Sequence, residues 1–193
     1  MTSWIYRHGR VYRTVLRLLY GRALEDRERI VASLVPRGVE VVDACCGDAG
    51  IAARLPGVRY LGVDASPALV EGVRRSGLAA KTLDLAKEDP PPGDVVLLLG
   101  SLYQFLPDVD PVVLRVRRAA RRFAIVAEPY RNLASSRFKP LAALARRMTD
   151  PGVPSSTGRF DEAGLRALFT RHGARHVERT SRELIAVLPG LAP

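Results

Sequence analysis

Cysteine is nearly missing from these 193 residues: Cys45 and Cys46 are the only two, and they are adjacent. Neighbouring thiols cannot staple a secreted scaffold, and no second cysteine pair or helical histidine pair exists to complete a metal site. His8, His172 and His176 are scattered, so no metal is expected. Side-chain amides are scarcer still, Gln104 and Asn132 alone, a shortage that fits a thermophilic source. No apolar run reaches the ~18 residues of a membrane span. Arg7, Arg10, Arg13 and Arg17 break the N-terminal stretch where a signal peptide requires continuous apolar residues. The expectation is a cytoplasmic protein with no membrane span.

The remaining composition is that of a globular chain, 47% hydrophobic and 26% charged. Its length suits one domain, 1–193, with a core of its own. Lys and Arg outnumber Asp and Glu by 30 to 20, and 27 of the 30 are arginine. That balance attracts anionic partners without naming one. Arg10, Arg13 and Arg17 form one stripe, and Arg115, Arg117, Arg118, Arg121 and Arg122 form a run. Either could meet RNA phosphates, or be a solvated, salt-bridged face.

Hydrophobic periodicity divides the chain. Residues 4–22 form an amphipathic helix with a basic face, and 25–35 a second helix stopped by Pro36-Arg37-Gly38, so 1–36 is an N-terminal helical cap. From residue 37 strands and helices alternate: strands at 39–44, 58–63, 78–83, 94–99 and 123–127, with a short helix after the first, a helix after Ser66-Pro67 and another at 108–120. Strand 94–99 is apolar on both faces, as in a parallel sheet covered by helices. A helix at 161–172 precedes two strands, 174–180 and 182–188, whose connection is too short for a parallel crossover. The fold class is therefore α/β: a doubly wound, mostly parallel seven-stranded sheet with one antiparallel C-terminal strand. The 130–160 region reads as a lid or cap within the single domain.

In such a sheet, ligands sit outside the carboxyl ends of the strands near the switch in strand order. The first strand ends in Asp43-Ala44-Cys45-Cys46-Gly47-Asp48-Ala49-Gly50, whose small residues let backbone approach a ligand; the following helix N-terminus offers N–H groups to a carboxylate or phosphate. Asp64 ends the second strand, 21 positions on, and can accept bonds from both hydroxyls of a ribose. Asp84 ends the third and can take a base amine. Together they outline an adenosine pocket.

These segments resemble the class I S-adenosylmethionine-dependent methyltransferases. In that family an acidic residue precedes Gly-x-Gly-x-Gly, matched here by Asp43 and then Cys45, Gly47 and Ala49, with only the central glycine kept. The resemblance implies a Rossmann-like methyltransferase fold with S-adenosyl-L-methionine as cofactor. Ala44, Cys45, Cys46 and Gly47 would lie against its methionine part, Asp64 on the ribose, Ala65 beside the adenine, and Asp84 with Leu85 at the adenine edge. Gly100-Ser101-Leu102-Tyr103-Gln104 is similar to the Gly-Pro-Leu-Tyr-His stretch of some members, where methyl group and acceptor meet. Tyr103, Gln104 and Glu128 are the candidates for positioning the acceptor, expected to be a small or lipid-like molecule. An RNA methyltransferase, a binding protein that keeps the fold without catalysis and a nicotinamide-dependent oxidoreductase remain as alternatives. The oxidoreductase would want Gly-x-Gly-x-x-Gly, of which only Gly50 is in phase.

Overall fold

The computed structural model describes residues 9–130 and 160–192, with side chains from Gly21 onward. Helix α1 (Gly9–Leu34) is two helices joined at Gly21, whose φ of 41° and ψ of −119° lie outside the helical region. Its basic N-terminal face falls outside the described side chains, and the expected 130–160 lid lies, but for its end residues, outside the described residues.

Seven strands follow: β1 (Glu40–Ala44), β2 (Arg59–Asp64), β3 (Ala79–Thr82), β4 (Gly93–Leu99), β5 (Ala120–Pro129), β6 (His176–Arg179) and β7 (Glu183–Pro189). They form one sheet in the order β3-β2-β1-β4-β5-β7-β6, all parallel except β7, which inserts antiparallel between β5 and β6. Strand β5 is longer than its apolar stretch, because Glu128 and Pro129 keep pairing with Leu184 and Glu183 of β7.

Val95 to Leu98 and Ala124 to Ala127 are fully buried, since both sheet faces are covered. On one face, Ile30 and Val31 of α1 pack over Val41, Leu97, Ile125 and Ile185. On the other, α3 (Asp110–Ala119) supplies Val112, Val113 and Val116, and α4 (Glu162–Arg171) supplies Leu165, Leu168 and Phe169. Helix α2 (Pro67–Arg75) starts as its sequence dictates, with the Ser66 hydroxyl accepting from Leu69 N at 3.4 Å and Pro67 in the first turn. The connections reverse direction between β1 and β4, which opens the crevice of a doubly wound sheet there.

Candidate cofactor site

The loop leaving β1 follows a backbone path its side chains disfavour. Cys45, Gly47 and Ala49 all have positive φ, at 58°, 57° and 57°. These alternate positions are the three glycine positions of the sequence motif, so the loop keeps its shape without two of its glycines. Left-handed geometry costs a non-glycine residue about 1–2 kcal/mol, and the cost is borne twice.

Asp64 fixes this loop from the end of β2. Its Oδ2 accepts from Gly47 N at 2.9 Å and its Oδ1 from Ser66 N at 2.9 Å. An ionised carboxylate has about four acceptor positions, so two remain for a ligand. Burial pushes the Asp64 pKa up, opposed by these two bonds. Asp43 is 3% exposed and accepts from the Tyr60 hydroxyl at 2.6 Å. Burial raises its pKa to about 7 despite that bond. Asp84 is half-exposed; a 2.8 Å contact with Lys87 holds its carboxyl below its usual range. Burial and then the charges of Asp64, Asp43 and Asp84 push the Cys45 thiol well up. Ala65 is exposed beside Asp64, whereas Leu85 is buried.

The two thiols turn to different clusters. Cys45 packs on the α3 and α4 side, whereas Cys46 packs with Val70, Val73 and Ala80 on the α2 side. Both have raised pKa values, so neither is an activated nucleophile. Cys46 fits because residue 62 is glycine: a Cβ there would lie 2.8 Å from its Sγ. The helix expected after the loop is a five-residue 3-10 helix, Gly50–Arg54, too short for a strong N-terminal dipole.

At the end of β4, Gly100 (φ 67°) donates to Ala127 O at 2.7 Å. A side chain there would strike Arg27 of α1, whose Nη1 is 2.7 Å from the position of a Cβ. Arg27 continues to Glu183 Oε1, 3.2 Å away at the start of β7. Its charge also reaches Asp43. Sequence reasoning missed both residues, since 156 positions separate them. Beyond Gly100 and the buried Ser101, a 3-10 turn (Leu102–Phe105) carries half-buried Tyr103 and exposed Gln104. Glu128, 1% exposed, accepts from Leu102 N at 2.9 Å and so fixes that turn.

The arginine run of α3 and β5 is largely committed within the protein. Arg115 and Arg118 pair with Asp89, Arg121 with Glu40 and Asp94, and Arg117 donates to Pro189 O at 2.9 Å. A cavity of about 210 Å³ between Val35, Arg37, Arg54 and Val58 lies at the opposite, amino end of the strands, away from the three aspartates.

No protein-family profile matches the chain, and no curated protein matches it in sequence. Solved structures do match in shape. A magnesium protoporphyrin IX methyltransferase from Synechocystis PCC 6803, crystallised with S-adenosylhomocysteine, is 20% identical over 94% of this chain and 84% of its own, with a TM-score of 0.61. The PH0226 protein from Pyrococcus horikoshii OT3 is 16% identical over 95% and 93%, at 0.66. An O-methyltransferase family protein from Burkholderia thailandensis is 12% identical over 97% and 62%, at 0.67. The chain therefore has the Rossmann-like fold of class I methyltransferases. The antiparallel β7 inside the sheet separates it from the 3-2-1-4-5-6 strand order of dinucleotide oxidoreductases.

Proposed function

We propose that this chain is an S-adenosylmethionine-dependent methyltransferase that methylates a small or lipid-like acceptor by in-line transfer. The observation that carries the reading is the Asp64 carboxylate, tied to the β1 loop by one oxygen and to Ser66 by the other, with acceptor capacity left over at the switch point of the sheet. The residues suit the cofactor chemically. Asp64 has lone pairs for ribose hydroxyls, Asp84 and Leu85 offer one acceptor and one apolar contact for the adenine, and the concentration of carboxylates suits a ligand carrying a sulfonium and an ammonium. The Synechocystis enzyme's S-adenosylhomocysteine supports the same choice.

The bound cofactor supplies an electrophilic methyl group on sulfur. The protein's part is alignment: the loop from Ala44 to Gly47 and the Gly100-Ser101 backbone hold the donor end, while Tyr103 and Gln104 orient the acceptor. Gln104 can donate and accept hydrogen bonds but cannot take a proton, which favours an acceptor already in its nucleophilic form. Glu128 acts through Leu102, keeping that turn in place.

Charge partition informs the acceptor. Residues 1–20 and 131–159 hold ten Lys and Arg against one Asp, while the rest of the chain holds 20 against 19. This excess of positive charge favours an acceptor with an anionic group. RNA is the second reading, supported by the same charge. Incubation with methyl-labelled S-adenosylmethionine and separate small-molecule, lipid and RNA fractions of an extract tests the proposal. Label in the first two supports it, label in RNA selects the second reading, and cofactor binding without label in any fraction points to a binding protein.

A further inference from the structure

Helix α1 consists of two halves of different character. At Gly21 the backbone leaves the helical region, and a Cβ there would meet nothing within 4 Å. The break is one of backbone conformation that glycine permits, not of crowding. Beyond it the helix is docked: Ala23, Ile30 and Val31 are buried, and Arg27 reaches Gly100 and Glu183. Before it, residues 9–20 make a helical stretch about 18 Å long.

The sequence of that first half is amphipathic. At about 100° per residue, Val11, Tyr12, Val15, Leu16, Leu18 and Leu19 share one arc, and Arg10, Arg13 and Arg17 share the opposite one. No acid precedes Glu25, so these arginines have no carboxylate on their own half to pair with, in contrast to Arg118 and Arg121 with Asp89 and Glu40. An unbroken wheel would set Val11, Val15 and Leu18 about 100° or more from the direction in which Ala23, Ile30 and Val31 face. The break at Gly21 gives the first half a direction of its own.

A bilayer surface with anionic headgroups takes both arcs together, the apolar one at the acyl boundary and the arginines among the headgroups. RNA would engage the arginines alone and leave the apolar arc in water. Trp4, Tyr6, Tyr12 and Tyr20 add the residue types that settle at a membrane–water boundary. The stretch lies on the surface and does not cross it, since 9–20 falls short of the ~30 Å hydrocarbon core and no described helix is long and apolar enough to span it. We propose that residues 9–20 of α1 form an arm that binds an anionic bilayer surface, joined to the body of the protein at Gly21. Helix α1 runs on toward the amino end of β1 while Arg27 meets Gly100 at the carboxyl end of β4, so the arm departs on the side of the candidate site. It brings that rim to the surface where a lipid-like acceptor resides. The arm does not depend on the methyl-donor reading.

The test is co-sedimentation of the full-length protein with vesicles of phosphatidylcholine alone or mixed two to one with phosphatidylglycerol. Trp4 is the single tryptophan, so its fluorescence reports on the N-terminal segment. Wild type should bind the mixed vesicles with a blue shift of that emission and bind pure phosphatidylcholine at least about ten-fold more weakly. Replacing Arg10, Arg13 and Arg17 together by Gln should weaken binding about hundred-fold, roughly a factor of five for each arginine. Val15→Ser, Leu18→Ser and Leu19→Ser together should weaken it at least about ten-fold, with a thermal midpoint within about 5 °C of wild type. Absence of wild-type binding to the mixed vesicles overturns the proposal. A midpoint lowered by more than about 10 °C in the serine variant also overturns it, making the apolar arc part of the core. So does tighter binding to a structured RNA that the serine variant retains, which makes the arginines a nucleic-acid contact. Vesicle binding by a chain that fails to bind S-adenosylhomocysteine upholds the arm and removes the donor reading alone.

Discussion

Replacing Asp43 by Asn should remove the pH dependence of stability that this one carboxyl imposes. Asp43 is buried, with the Tyr60 hydroxyl donating a hydrogen bond to it, and burial lifts its pKa from 3.8 to about 7. A folded state that holds a proton more tightly than the unfolded chain is favoured at low pH. The contribution is therefore present in full below about pH 4 and is lost as pH rises through about 7. At about 1.4 kcal/mol per pKa unit the loss is about 4 kcal/mol, half of it by about pH 5.5. Asn keeps an acceptor for Tyr60 and does not ionise. Its buried amide N–H groups cost about 1–3 kcal/mol if unpaired, but that cost is the same at every pH and cancels in the comparison. Urea unfolding followed by circular dichroism, for wild type and Asp43→Asn between pH 4.5 and 8.5, isolates the effect. The variant should gain on the wild type by about 3–4 kcal/mol across that range. Parallel curves, with a gap changing by less than about 1 kcal/mol, would show that Asp43 ionises normally and that the burial argument is wrong.

Other consequences follow from the same packing. Gly62→Ala should destabilise by about 1–3 kcal/mol, because its Cβ would sit 2.8 Å from Cys46 Sγ; a Cys46→Ala partner substitution should recover most of that, as measured by a double-mutant cycle. Cys45→Gly removes a left-handed cost of about 1–2 kcal/mol but adds about 0.5–1 kcal/mol of unfolded-state entropy. Thermal unfolding should thus show a net change within about 1 kcal/mol. Both thiols should react slowly with Ellman's reagent at pH 8 in the native protein and rapidly in guanidinium, since burial and nearby carboxylates hold them protonated. Fast native labelling would contradict the packing of the β1 loop.

Much of this architecture could be read from local pattern. The apolar stretches of β1, β4 and β5, the Ser66-Pro67 start of α2 and the short link before β7 each dictate their element through nearby residues alone. The positions of the three aspartates were legible for the same reason, because Asp43 and Asp64 lie at the ends of β1 and β2 and Asp84 lies just beyond β3. Arg27 and Glu183 were not. Among 27 arginines nothing local marks Arg27, and Glu183 looks like the polar start of an edge strand. Insertion of β7 between β5 and β6 buries Glu183, a fact of sheet order rather than of sequence pattern. The arginine run at 115–122 shows the converse: its charge suggested phosphate, but Asp89, Asp94 and Glu40 come from distant segments to pair with it.

The donor assignment is tested most directly by titrating the purified protein with S-adenosylhomocysteine and, separately, with NAD, each against wild type and Asp64→Asn. One molecule of S-adenosylhomocysteine should bind per chain, Asp64→Asn should weaken it at least ten-fold, and NAD should give no saturable heat. No binding of S-adenosylhomocysteine by the wild type, or undiminished binding by Asp64→Asn, would contradict the account.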